Sequence, residues 1–325
     1  MGTSFVATLL LLLSLVQITL GKKAIDIFRQ KNGADILQLR NRGNKMFNAL
    51  RPDSTRKWNL RDSNGNYIIP YTVAARYDPK ELPSIRKARA RIEANTCIRF
   101  KERTNEHDYI EIQNKAGEGC YTNVGRIGGK GILMLESNFR ETCMEPETVL
   151  HELMHVVGLW HEHMRYDRDK YIRVHYENID KEYWPQFTKV KPEIATTYNV
   201  PYDYKSIMHY DKTAFAQKGK ISMETLDPNF QDVIGNQKDA SPSDYKKICE
   251  IYKCSQCPGE NTDDGNDTDT NIPDPVTADP SPSTGQDCQD MNAAYCRTLA
   301  GLHLLECRHF TKKQCCATCL AMNFV

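Results

Sequence analysis

The stretch His151-Glu152-Leu153-Met154-His155-Val156-Val157-Gly158-Leu159-Trp160-His161 constrains this chain more than any other. On an α-helix, residues four apart lie on one face, so His151 and His155 can present two imidazoles to one metal ion. Glu152 sits beside them, close enough to hold a water for attack. Gly158 follows where a helix can end with a positive φ that glycine adopts at little cost. The chain can then turn and bring His161 back as a third ligand. Three histidines with an open fourth position are the pattern of a catalytic zinc site, whereas a closed four-ligand set is structural. Such a zinc lowers the pKa of water to about 7, and an adjacent carboxylate can take the proton. The bland alternative is a helix that buries Leu153, Val156 and Val157 and carries histidines by accident.

The eleven residues resemble the metzincin metalloprotease signature. Beyond them, Glu162, Arg165 and Asp167-Arg168-Asp169-Lys170-Tyr171-Ile172 are similar to the astacin family's extension, HExxHxxGxxHExxRxDRDxYI. Ser206-Ile207-Met208-His209-Tyr210 is similar to its Met-turn, SxMHY. The resemblance runs from about Trp58 to Cys249. It implies an α+β fold, a two-lobed metzincin (zincin-like) catalytic domain with zinc on the active-site helix. It implies one Zn2+ per chain on His151, His155 and His161, with Glu152 as general base and then acid. It implies that Tyr210 swings to stabilise an oxyanion, where a phenol aimed at developing charge lowers the barrier. Met208 becomes an apolar floor beneath the metal. Glu162 pairs through water with the mature amino terminus. Cys97–Cys249 and Cys120–Cys143 correspond to the family's two disulfides, leaving Cys254 and Cys257 free to pair with each other. The other histidines (107, 163, 175, 209, 303 and 309) are expected to be non-ligands.

The rest of the chain fits an extracellular enzyme. Residues 1–21 carry an apolar run from Phe5 to Leu20, too short for a comfortable membrane span, and read as a signal peptide. Twelve cysteines argue for disulfides and an oxidising compartment. A formal net charge of +1 gives no reason to expect nucleic acid or membrane insertion. Residues 22–47 are charged and poor in core residues and read as a propeptide. Within it, Asn32-Gly33-Ala34-Asp35 resembles the family's FxGD pattern, which makes Asp35 the expected latency ligand. Asn48-Ala49-Leu50 resembles the start of mature family enzymes, and residues 48–257 are the expected catalytic domain.

Inside that domain, Tyr67–Val73 reads as a strand behind an Asn-Gly turn. Asp78-Pro79 reads as the start of a helix burying Ile85, Ala88 and Ile92. Residues 108–113 alternate like a half-buried strand. Ile132–Leu135 is expected to be the last strand before the active helix, edging the cleft where a substrate could pair with it. Pro146 is expected to open the zinc helix.

Residues 258–286 are almost wholly polar with Pro and Gly and read as a disordered linker. They hold a glycosylation sequon at Asn266. Residues 287–325 pack six cysteines (288, 296, 307, 315, 316 and 319) into a small module similar to the ShK-toxin (ShKT) type, stapled as a domain of that size must be. Such modules position or recruit an extracellular partner.

These observations together predict a secreted zinc endopeptidase, made as a zymogen, that cuts extracellular proteins or peptides. The rival is a non-catalytic toxin-like or binding protein acting through the cysteine-rich module. A carrier would be expected to lose Glu152 or a ligand, and none is lost. A purely structural zinc domain is disfavoured by three close ligands beside a general base.

Overall fold

The computed structural model describes residues 22–30, 35–37, 49–190, 196–255 and 257. All fall in the first of two compact units, Met1–Gly259. The expected signal peptide, linker, Asn266 and cysteine-rich module lie outside the described residues, as does most of the expected propeptide.

The chain begins with a two-residue strand, β1 (Lys23–Ala24), which pairs in parallel with β7 (Glu141–Thr142). The main sheet holds β2 (Tyr67–Val73), β3 (Ile98–Glu102), β4 (Tyr109–Gln113), β5 (Cys120–Thr122) and β6 (Lys130–Leu135) in the order β3-β2-β4-β6-β5. Only β5 runs antiparallel to its neighbour. β2 is buried along most of its length, as a strand in a parallel sheet covered on both faces should be. β4 alternates, with Ile110 and Ile112 inward, as its sequence predicts.

β6 is an inner strand; the edge is β5. The expectation that Ile132–Leu135 borders the cleft is therefore corrected. Its apolar run fits an inner position, and the short Cys120–Thr122 takes the edge. β6 is also not the last strand before the zinc helix, since β7 intervenes.

Helix α1 (Leu82–Asn95) buries Ile85, Ala88 and Ile92 as expected. It starts at Leu82 with Pro83 in its first turn, four residues after Asp78. Asp78 instead closes the preceding turn, its carboxylate accepting from the Lys80 N–H at 2.9 Å. Helix α2 (Pro146–Val157) has its proline in the first turn, where a missing N–H costs nothing. It is buried from Thr148 to Val157, its apolar residues packed in the core and His151, Glu152 and His155 turned to the site. Gly158 ends it at φ 132°, a conformation unfavourable to any residue with a Cβ.

After α2 the chain is mostly irregular, with short 3-10 turns, the two-stranded pair β8 (Ile172–Val174) and β9 (Met223–Thr225), and helix α3 (Pro242–Tyr252). A capping box starts α3: Ser241 accepts from the Asp244 N–H, and Asp244 accepts from the Ser241 N–H. Among the described residues no helix is long and apolar enough to cross a membrane.

The disulfides differ from expectation. Cys120–Cys143 forms, with Cα atoms 5.8 Å apart. Cys97, however, pairs with Cys254 (Cα–Cα 5.4 Å), and Cys249 pairs with Cys257 (6.3 Å). The cause is the end of α3. Lys253 adopts the left-handed conformation, the chain doubles back, and the Cys254 N–H reaches the Cys249 carbonyl at 3.1 Å. That turn carries Cys254 to the start of β3, leaving Cys249 to the returning Cys257. The long tie between the halves survives with a new partner. Spanning 157 residues, it has a closure entropy worth about 4–5 kcal/mol in the loop model.

Candidate active site

The three histidines meet at one point, and the point is occupied by a carboxylate from far upstream. Asp35 Oδ2 lies 2.8 Å from His151 Nε2, 3.3 Å from His155 Nε2 and 2.8 Å from His161 Nε2. All four side chains are buried. His151 and His155 come from one face of α2. Their rings are fixed from behind: His151 Nδ1 donates to the Ile207 carbonyl (2.8 Å) and His155 Nδ1 to the Leu159 carbonyl (2.7 Å). A donating Nδ1 leaves Nε2 as a lone pair.

Lone pairs aimed at a carboxylate oxygen repel each other unless a cation lies among them. Three imidazoles and one carboxylate are a donor set that zinc accepts. The four ligand atoms lie within 4.8 Å of one another. Burial pushes the His161 imidazole down to about 3 and lowers His155 as well, which keeps both neutral, as ligands must be. Burial alone would raise the Asp35 carboxyl, but its close contact with the three imidazoles holds it well below its ordinary value.

Asp35 is held in place by backbone. The Thr122 N–H donates to the Asp35 carbonyl at 2.8 Å, and Ile36 forms a parallel bridge with Thr122 on the β5 edge. The upstream segment adds more anchors. Phe28 packs on the Tyr210 ring (centroids 4.7 Å apart) and edge-on to His151 (6.0 Å). The Gln30 amide pairs with the Cys120 backbone, donating to its carbonyl (2.8 Å) and accepting from its N–H (2.7 Å).

Glu152 follows His151 on α2 and is fully buried beside the centre. Tyr210 places its hydroxyl 3.4 Å from Asp35 Oδ1. Burial, with Asp35 beside it, raises the Tyr210 phenol well above its ordinary value and keeps it a donor. Met208 is buried, and its carbonyl accepts from the Glu162 N–H at 2.9 Å, so the Met-turn is stitched to the third-ligand segment.

Glu162 has its partners within the uncut chain, where no mature amino terminus exists. One oxygen accepts from Lys247 Nζ at 2.6 Å; the other accepts from Arg165 (3.0 Å) and the Asp203 N–H (3.0 Å). The residue is buried, and Lys247 and Arg165 keep it ionised against the cost of burial. The amine this carboxylate meets here is a lysine from α3, not a chain terminus. The segment expected to open the mature enzyme is bound elsewhere: the Leu50 N–H donates to the Gly158 carbonyl, and Ala49 bridges Leu159.

Residues that sequence patterns alone do not single out also shape the site. His163 is not a ligand, but its ring stacks on Tyr210 with centroids 4.1 Å apart, while its Nε2 donates to the Gln186 carbonyl. Only its place two residues beyond His161 hints at this. His209 is also buried, donating from Nδ1 to the Tyr210 carbonyl and accepting at Nε2 from Tyr202 (both 2.7 Å). His107 is exposed and His175 partly so, away from the centre; His303 and His309 lie outside the described residues.

Burial lowers His209 to about 4, which predicts a pH effect. Its folded pKa lies below the unfolded value near 6.5, so its contribution to stability is complete above pH 6.5. That contribution is lost as pH falls towards 4, about 3 kcal/mol over the window. Urea unfolding at several pH values should show one proton's worth of extra slope relative to His209→Gln. Equal slopes would remove His209 as the cause.

The family model described as Astacin, a peptidase family, matches residues 53–253. The chain is 44% identical to zinc metalloproteinase nas-5 of Caenorhabditis elegans, over 92% of this chain and 87% of that protein. It is 35% identical to nas-6 of the same organism, over 83% of this chain and 72% of that one. The solved structure of high choriolytic enzyme 1, a hatching enzyme zinc-protease from Oryzias latipes (medaka), superimposes with a TM-score of 0.57 at 36% identity, covering 64% of this chain and all of that one. Two helix-borne histidines and a third brought back by the turn after Gly158, shaped for zinc within a sheet-and-helix domain that the family model spans almost end to end, place this chain in the astacin family of zinc metalloproteases, hydrolases that act on peptide bonds.

Proposed function

We propose that the chain is a secreted endopeptidase made as a zymogen, with Asp35 as the latency group and residues 22–47 as the propeptide. The observation that carries this is the Asp35 carboxylate oxygen within 2.8, 3.3 and 2.8 Å of the three Nε2 atoms. It occupies the one open position of a three-histidine set, where a substrate carbonyl and a water would have to sit.

His151, His155 and His161 hold the zinc. When bound, it supplies Lewis acidity and lowers the pKa of water to about 7. Glu152, next to His151 and shielded from bulk solvent, takes a proton from the attacking water and returns it to the leaving amine. Tyr210, kept as a phenol, donates to the oxyanion that forms as the carbonyl becomes tetrahedral. In the latent form its ring is held between Phe28 and His163. Removing the propeptide takes away one side of that contact and frees the hydroxyl to reach substrate.

The apolar run at residues 5–20 and three disulfides in the catalytic unit support secretion. Asn266 in the linker is the proposed glycosylation site. The tail at 287–325 is the proposed ShKT-like module, with an extracellular partner. A module-only role draws no support from the catalytic unit, which keeps every group that hydrolysis needs.

The test is cleavage of a denatured protein by the uncut chain, with and without Asp35→Ala. The wild-type zymogen should be nearly silent. The variant should cut without processing, and a zinc chelator should stop it. Silence from a folded, zinc-loaded Asp35→Ala chain would overturn the latency role.

A further inference from the structure

The segment 27–30 lies against the metal centre, and the surface reads each of its side chains differently. Phe28 fills an apolar place against Tyr210 and His151, and its carbonyl accepts from the Phe215 N–H at 3.3 Å. Gln30 pairs with the backbone of Cys120. Arg29, between them, turns to Asp211, placing its guanidinium 3.2 and 3.4 Å from the two carboxylate oxygens, and also bonds the Thr213 hydroxyl. It has a second partner within its own segment, Asp26.

Asp211 directly follows Tyr210 in the chain, and it holds Arg29, the residue next to the Phe28 that packs on Tyr210 and His151. The loop that carries it is seated closely. A Cβ on Gly235 would run into the Asp211 backbone nitrogen, so only glycine lets the two segments approach this far. The Asp211 carboxylate also accepts from the Thr213 N–H and hydroxyl, which fixes its direction. Lys212, the nearest cation in sequence, is directed to Asp232 instead. Asp211 is only 18% exposed, against 46% for Arg29. The acid is thus a fixed feature of the wall, and the arginine is its visitor.

We infer that Asp211, with Thr213, forms an acidic subsite next to the apolar place filled by Phe28. The open enzyme then favours protein substrates with an arginine or lysine beside a large apolar residue, close to the bond it cuts. This rests on the protease reading above. The chemistry is ordinary charge pairing at a partly screened site, which selects between partners of opposite sign more than it adds affinity. An acidic substrate residue at the same place would face Asp211 and be rejected.

The experiment uses full chain carrying a site-specific cleavage sequence inserted before Asn48, so that the propeptide can be released. A mixed peptide library is digested, and the residues flanking each cut are read by mass spectrometry. Two peptides are then made, identical except for Arg or Glu at the enriched position. The readout is the ratio of kcat/KM for the two within each enzyme, which does not depend on how much enzyme is folded. Wild type should favour the Arg peptide by about tenfold or more. Asp211→Asn, which keeps the turn acceptor for Thr213, should bring the ratio close to one. Asp211→Lys should invert it. One ratio in all three enzymes, or a wild-type preference for Glu, overturns this inference alone. Failure of the zinc-loaded wild type to cut any peptide overturns the protease reading and takes this inference with it.

Discussion

Replacing Glu152 by alanine is expected to lower peptide cleavage by about 10²–10⁴-fold while one zinc stays bound per chain. The two parts of this expectation come from different features. The loss follows from position: Glu152 is buried beside His151, and among the described residues the metal-ligand cluster holds no carboxylate other than Asp35, which belongs to the proposed propeptide. Retention of zinc follows from how the ligands are held. His151 and His155 are oriented by the carbonyls of Ile207 and Leu159, and neither bond involves Glu152. Zinc content by atomic absorption, set beside cleavage rates of the mature chain, separates the two. A loss below tenfold would remove Glu152 as the general base. Loss of zinc along with activity would make its role structural.

The second large effect is on folding. Lys247 is 2% exposed on α3, with its ammonium 2.6 Å from Glu162 and 3.7 Å from Asp244. Lys247→Ala would take one cation from the buried Glu162 carboxylate and the same cation from Asp244. Breaking a buried pair from one side costs about 3–5 kcal/mol. For a domain of this size that is a fall in Tm on the order of 10 °C. Lys247→Met should be about as harmful despite filling the space, because the cost lies in the stranded charge. Adding Glu162→Gln to Lys247→Met should recover part of the loss. A Lys247→Met protein as stable as wild type in urea would show that Arg165 and the Asp203 amide satisfy Glu162 alone.

What could be read from sequence follows the range over which residues act. His151 and His155 are legible because four residues is a helical repeat, and His161 because Gly158 makes a turn there possible. Asp35 is 116 residues from His151, so periodicity and spacing are silent about it; only the resemblance singled it out. Phe28, Arg29 and Gln30 form no pattern at all, since each answers to a surface assembled from distant segments. Lys247 left a faint signal. It stands three residues after Asp244 and four before Ile251, both buried, so it shares the inward face of α3. The cysteine pairing failed for a local reason. Cys249, Cys254 and Cys257 lie close together in the chain, and the single left-handed residue Lys253 decides which of them faces Cys97.

The hold on Leu50 bears on the proposed maturation. Its N–H is bonded to Gly158, and its side chain lies so close to that glycine that a Cβ there would sit 2.7 Å from a Leu50 methyl. Ala49 and Leu50 thus brace the bend between the second and third histidines. Upstream, Asp35–Leu37 belong to the proposed propeptide. In the uncut chain Glu162 is already met by Lys247. On the proposed zymogen reading, any cut between Leu37 and Ala49 would release Asp35 and leave the bend supported, whereas trimming past Leu50 would loosen the third histidine.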